Sequence, residues 1–111
     1  MPGRAGLLAV FLAVIACRAT TDYVYPDDLA SPNYIRRTYA AREFNRRQDS
    51  DAAPAAFALL NDSHVTIRTL VSETLRSMSD GEDFGYDVDL QEADRVRVAD
   101  RWQRWWEAGR E

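Results

Sequence analysis

An all-α fold is predicted for this chain: a short α-solenoid of about two helical hairpins with a capping helix at its C-terminal end. Two observations predict it. Residues 31–44 and 62–75 follow one plan about 31 positions apart, so that Leu29 aligns with Leu60, Arg37 with Arg68, Thr38 with Thr69, Ala40 with Val71 and Phe44 with Leu75. Apolar residues also recur at helical spacing in two segments, first Ile67, Leu70, Val71, Thr74 and Met78, then Val98, Trp102, Trp105 and Trp106. A length of 111 residues, 46% of them hydrophobic, suits one domain. The 18 acidic against 14 basic side chains give no electrostatic reason to expect nucleic acid.

The N-terminus reads as a targeting segment. Arg4 precedes ten apolar residues, Leu7 to Ala16, the pattern of a signal peptide over residues 1–16. About 20 apolar residues are needed to span a bilayer comfortably, and this run stops at about half of that. Val14-Ile15-Ala16-Cys17 resembles the lipobox of bacterial lipoproteins. The resemblance implies that Cys17 receives a diacylglyceryl group and becomes the first residue of the mature chain. A thiol suits that role because the thiolate is the nucleophile that takes the lipid as a thioether. Two other readings remain: ordinary secretion after Val14-x-Ala16 or Cys17-x-Ala19, and an uncleaved anchor. Cys17 is the single cysteine, so no internal disulfide is possible.

Residues 17–32 read as a tether grading into a first structured turn, because Pro26 and Pro32 disfavour helical geometry in the residues before them. Tyr23, Tyr25 and Leu29 interrupt its polar character and are expected to cover the open end of the first hairpin. A helical domain then occupies residues 33–111. Asn33 can cap a helix running to Arg47, with Tyr34, Ile35, Tyr39, Ala41 and Phe44 as its apolar surface. The Arg residues near its end suit the negative end of the helix dipole. Residues 54–60, PAAFALL, form a short helix apolar almost all round, which must be buried on several sides to persist. Asp62 or Ser63 can cap the helix at 64–78, whose apolar face is Ile67, Leu70, Val71, Thr74 and Met78 with Leu75 beside it.

Asp62-x-x-x-x-Ile67-Arg68-x-x-Val71-x-x-x-Leu75 resembles the HEAT-like repeats of the short, phycobilisome-lyase type. The upstream copy has Ser31 in place of the acid and Arg36 in place of the aliphatic residue before the Arg. The resemblance covers roughly residues 29–80 and implies stacked α-hairpins, not a lyase activity. It also implies structural roles for Arg37, Asp62 and Arg68: the acid caps its helix, and the Arg one turn in reaches an acidic turn of its own or the adjacent repeat. The competing reading of Arg37 and Arg68 is an anion-binding pair.

Residues 80–90, DGEDFGYDVDL, hold four Asp and one Glu but fail the EF-hand spacing, because Phe84 and Gln91 stand where ligands are required. Phe84 and Tyr86 are expected to pack on the repeats while Gly85 allows a tight bend. A last helix is expected over 89–108, started by a capping box of Asp89 and Glu92. Asp83-Phe84-Gly85-Tyr86-Asp87 with Arg101-Trp102-x-x-Trp105-Trp106 resembles a C-terminal extension found after HEAT-like repeats in some exported bacterial proteins. Trp102, Trp105 and Trp106 share one flank, either a solenoid cap or an interaction surface.

No metal, cofactor or catalytic site emerges. His64 lies beside Asp62 and Ser63, but neighbours on one turn rarely converge as a triad, and no nucleophile motif is present. The expectation is a non-catalytic, membrane-tethered interaction or scaffold module of the bacterial cell envelope. It would be exported, held at the periplasmic or exterior side by a lipid on Cys17, and would bind an envelope protein. The alternative is a secreted or tethered domain that binds a ligand or Ca²⁺ through the loop at 80–90.

Overall fold

A computed structural model describes residues 22–109, which are helical with no strand among them. The segment expected as a signal peptide, residues 1–16, and Cys17 lie outside the described residues. Four α-helices appear in order: α1 Tyr34–Arg47, α2 Ala53–Ala56, α3 Val65–Met78 and α4 Glu92–Glu107. Short 3-10 turns at Asp27–Ala30, Ser50–Ala52 and Phe57–Asn61 complete the elements.

The hairpins follow from where the chain can cap and turn. Asn33 accepts hydrogen bonds from the Ile35 and Arg36 amides and starts α1, and Gln48 ends it in the left-handed region at φ 50°. Pro54 sits within the first turn of α2, where its missing N–H is not needed. The apolar segment expected as one helix over 54–60 divides, with four residues of α-helix tightening into the 3-10 turn Phe57–Asn61. Its burial is as the composition requires: Ala53, Ala56, Phe57, Leu59 and Leu60 all lie in the core.

Two layers result. The Asp27–Ala30 turn packs on α1 and α2, and the Phe57–Asn61 turn packs on α3 and α4, while α1 and α3 lie against each other. The core between the layers contains Leu29, Ala40, Ala41, Phe44, Ile67, Val71 and Leu75. Leu29 and Leu60, aligned in the sequence, are both fully buried, as are Phe44 and Leu75. The packed body begins before residue 33, the boundary expected from the sequence, because Leu29 fills the end of the core and Asp28 is buried beside it.

Helix α1 departs from expectation in which side chains it buries. Ala40, Ala41 and Phe44 face inward, whereas Tyr34, Ile35 and Tyr39 remain about half exposed. At 100° per residue Ile35 and Tyr39 fall nearly opposite Phe44, so one narrow stripe cannot hold all six. The α3 face is as read: Ile67, Val71, Thr74 and Leu75 are buried, with Leu70 and Met78 packed at the edge.

The capping box expected at Asp89 and Glu92 is not formed. The Asp89 amide donates to Asp87 Oδ1 at 2.8 Å, which holds residue 89 in a turn, and α4 begins three residues later after Gln91. Before it, Gly85 at φ +77° turns the loop so that Phe84 and Tyr86 both reach the core. Apart from its two chain neighbours, nothing lies within 4 Å of the position a Cβ would take at Gly85. Gly85→Ala therefore meets backbone strain alone, and a loss of about 1–2 kcal/mol is expected in denaturant unfolding.

Candidate interaction surface

The polar junction between the hairpins is built from the residues that the repeat singles out. Arg37 Nε donates to Asp62 Oδ2 at 2.7 Å and Nη2 to Oδ1 at 3.3 Å, a two-pronged bond from the first hairpin to the turn of the second. Asp62 also accepts from the His64 amide at 2.9 Å, which anchors the start of α3. Burial pushes the Asp62 carboxyl upward, but the Arg37 guanidinium and the His64 amide outweigh it and hold the group below the usual range.

Arg68 repeats the geometry one unit on. Its Nη1 donates to the Asp62 carbonyl at 2.7 Å, as Arg37 Nη1 donates to the Ser31 carbonyl at 3.0 Å. Thr38 and Thr69 likewise each donate to the carbonyl four residues back at 2.8 Å. The second prong of Arg68 goes to the Val88 carbonyl at 3.1 Å, in the loop before α4. All these donors are engaged within the fold, so Arg37 and Arg68 do not form an open anion clamp.

At the C-terminal end, Trp102 is 1% exposed. It lies between Phe57 at 5.9 Å, Phe84 at 4.9 Å and Trp105 at 5.4 Å, with the latter two edge-on. Trp105 and Trp106 are partly buried, Trp105 against Phe84 and Trp106 against Phe57. Tyr86 is buried, and its hydroxyl donates to the Leu60 carbonyl at 2.5 Å. Arg95 adds a bond to Asn61 Oδ1 at 3.0 Å. The Trp flank and the loop thus close on the second hairpin.

The acids of the loop serve the loop. Asp83 accepts from the Gly85 amide and pairs with Arg76 at 3.2 Å, Glu82 accepts from the Phe84 amide, and Asp87 from that of Asp89. Among the described residues no group of three or more His, Cys, Asp or Glu side chains could hold a metal ion. Ser63 Oγ and Asp62 Oδ1 both approach the same His64 nitrogen, Nδ1, at 3.1 and 3.4 Å. A proton relay requires the two opposite ring nitrogens, and this arrangement uses one.

The outward side of α1 remains. Ile35, Tyr39, Arg42 and Arg46 follow one another at helical spacing along the side opposite the core, and all are exposed. Tyr23, from the segment before the first turn, stacks on Tyr39 with centroids 4.5 Å apart. Arg36 lies 5.4 Å over the Tyr23 ring and Arg42 lies 5.8 Å over that of Tyr39. Arg36 also pairs with Asp28 at 3.1 Å and donates to the Asp22 carbonyl at 2.9 Å. The residue aligned with Arg36 one repeat spacing on is Ile67, which is fully buried, whereas Arg36 lies partly exposed against Asp28. Helix periodicity alone, counted from Phe44, would have placed Ile35 and Tyr39 on this surface.

Beside the stripe, a groove of about 280 Å³ runs between residues 23–25 and α1, lined by Tyr23, Tyr25, Tyr39, Glu43 and Arg47 among others. Arg47 covers the Tyr25 ring at 4.4 Å. Hydrogen bonds from Arg46 and Arg47 draw the Glu43 carboxyl down to about 2. Tyr25 donates to Asp49 at 3.0 Å, and burial together with that bond pushes its phenol up.

No family model, curated protein or solved structure matches the chain. Its functional reading rests on its own residues. Among the described residues no helix is long and apolar enough to cross a membrane.

Proposed function

We propose that this protein is a membrane-tethered, non-catalytic interaction module of the bacterial envelope, built from two HEAT-like hairpins and closed by the α4 cap. The observation that carries the reading is the division of labour among its large polar and aromatic side chains. Arg37, Asp62, Arg68, Tyr86 and Trp102 are consumed in holding the stack, while Ile35, Tyr39, Tyr23 and Arg42 stand on an outer side of α1. Tyr and Arg are the residue types that favour contact surfaces. The equivalent Arg and Thr hydrogen bonds at the repeat spacing support the HEAT-like assignment.

The tether is supported by the sequence before the folded body: an apolar run too short to span, ending in a lipobox-like Val14-Ile15-Ala16-Cys17. Export with the lipid on Cys17 would place the domain on the periplasmic or outer side of a membrane. Cys17→Ser is expected to move the chain from the membrane to the soluble fraction and to abolish the mass added by the lipid. A processed product that stays membrane-bound with Ser at this position would refute the lipid tether. Cation binding by the loop at 80–90 is the weaker reading, since Glu82, Asp83 and Asp87 already accept bonds that shape the loop.

A further inference from the structure

We infer that the outward stripe of α1, Ile35, Tyr39, Arg42 and Arg46 with Tyr23 stacked on it, docks on an anionic phospholipid surface and sets the orientation of the domain on its membrane. The inference rests on the tether proposed above and names what the exposed surface meets.

Two independent features select this occupant. The first is position. The described chain starts on this face, where Arg36 holds the Asp22 carbonyl and Tyr23 stacks on Tyr39. Cys17 is five residues upstream of Asp22, a distance of at most about 18 Å along an extended chain. A lipid on Cys17, or an apolar run held in the bilayer, therefore brings this side of α1 to the headgroups before any other.

The second is chemistry. Helix α1 carries five Arg and one Glu, although the whole chain has a net charge of -4. Along the stripe, Arg42 has no carboxylate partner among the described residues, Glu43 is shared by Arg46 and Arg47, and Asp22 is one further acid on this face, fewer acids than the Arg residues beside them. Arg36 is neutralised by Asp28. The stripe thus retains positive charge, interleaved with an aliphatic side chain and two Tyr rings. Tyr rings settle at the headgroup level, Arg stems lie along apolar surface while the guanidinium reaches phosphate, and basic groups concentrate at anionic lipid. The acidic loop at 80–90, which contains no basic residue, belongs to the other end of the stack, where Arg68 and Leu60 hold it. A domain docked by α1 keeps that loop away from lipid phosphates.

The test uses the full-length, lipidated chain on two vesicle preparations, phosphatidylcholine alone and phosphatidylcholine with about one-third phosphatidylglycerol. Flotation reads the tether, and hydroxyl-radical oxidation of individual side chains reads the face. Flotation with both preparations is expected. Oxidation of Ile35 and Tyr39 should fall at least about threefold on the anionic vesicles only, given that each surface Arg contributes about a factor of five to partition. Val96, half exposed on α4, should be oxidised equally on both. Arg42→Glu with Arg46→Glu should restore oxidation of Ile35 and Tyr39 while flotation and Val96 stay unchanged. Equal oxidation on the two preparations overturns the docking, as does protection that grows with protein density on neutral vesicles, which would assign the face to a second copy. Failure to float with neutral vesicles overturns the tether instead, and oxidation on the anionic vesicles then still decides the docking.

Discussion

Trp102→Ala should destabilise the domain by about 3–5 kcal/mol, the range for removing a large aromatic from a packed core. The side chain is fully buried, and three separate segments meet on it: Phe57 from the second hairpin, Phe84 from the loop and Trp105 from its own helix. Deletion leaves a cavity where α4 docks on the Phe57–Asn61 turn, the principal contact of that helix with the rest of the fold. Chemical denaturation followed by circular dichroism gives the loss, and Trp102→Phe should recover part of it. A loss below about 1 kcal/mol would mean that α4 does not close the stack. Emission of the folded protein should also be blue-shifted from that of the unfolded chain, since Trp102 is shielded and Trp105 and Trp106 are partly so.

Arg37→Ala and Asp62→Ala are each expected to cost about 3 kcal/mol, because either leaves a buried charge without its partner. The side chains are 14% and 4% exposed, and the bond joins one hairpin to the next. Their losses should not add: in a double-mutant cycle the second substitution costs much less than it does alone. Asp62→Ala should be the worse of the two, since it also removes the acceptor of the His64 amide. Acid provides a second measurement. The Asp62 carboxyl is held below its ordinary range in the folded state, so the unfolded chain binds the proton first as pH falls. Stability from this group is complete above about pH 4 and is lost as pH falls through the lower, folded value. Thermal melts from neutral pH downward should therefore stay level to about pH 4 and then decline. Asp62→Asn should remove part of that decline and lower the plateau.

Much of the architecture is legible in the residues because its signals are local. Asn33 caps α1, Ile67 to Met78 trace one side of α3, and aligned pairs such as Leu29 with Leu60 share full burial. For Arg37 the residues implied an acidic turn of its own or of the adjacent repeat, and the packing of α1 against α3 decided for Asp62. Other features depend on distant segments and leave no local trace. The start of α4 was displaced because Asp87 captured the Asp89 amide, a competition between two turns that each suit Asp. Tyr86 reaching the Leu60 carbonyl and Arg68 reaching that of Val88 depend on how the loop folds over the second hairpin.

The exposed stripe shows where composition misleads. Tyr34, Ile35 and Tyr39 are apolar enough for a core, yet Ala40, Ala41 and Phe44 already fill the inward side of α1. By itself the sequence determined the helical class, the Asn33 cap of α1 and the buried side of α3, because periodicity and capping chemistry act within a few residues. Only the tertiary structure decided that Trp102 packs between the second hairpin and the loop, that the acidic loop uses its carboxylates in its own turns, and that Ile35, Tyr39 and Arg42 stand on the exposed side of α1. Those outcomes depend on how distant segments share a limited buried volume, where a side chain's destination is set by its neighbours in space.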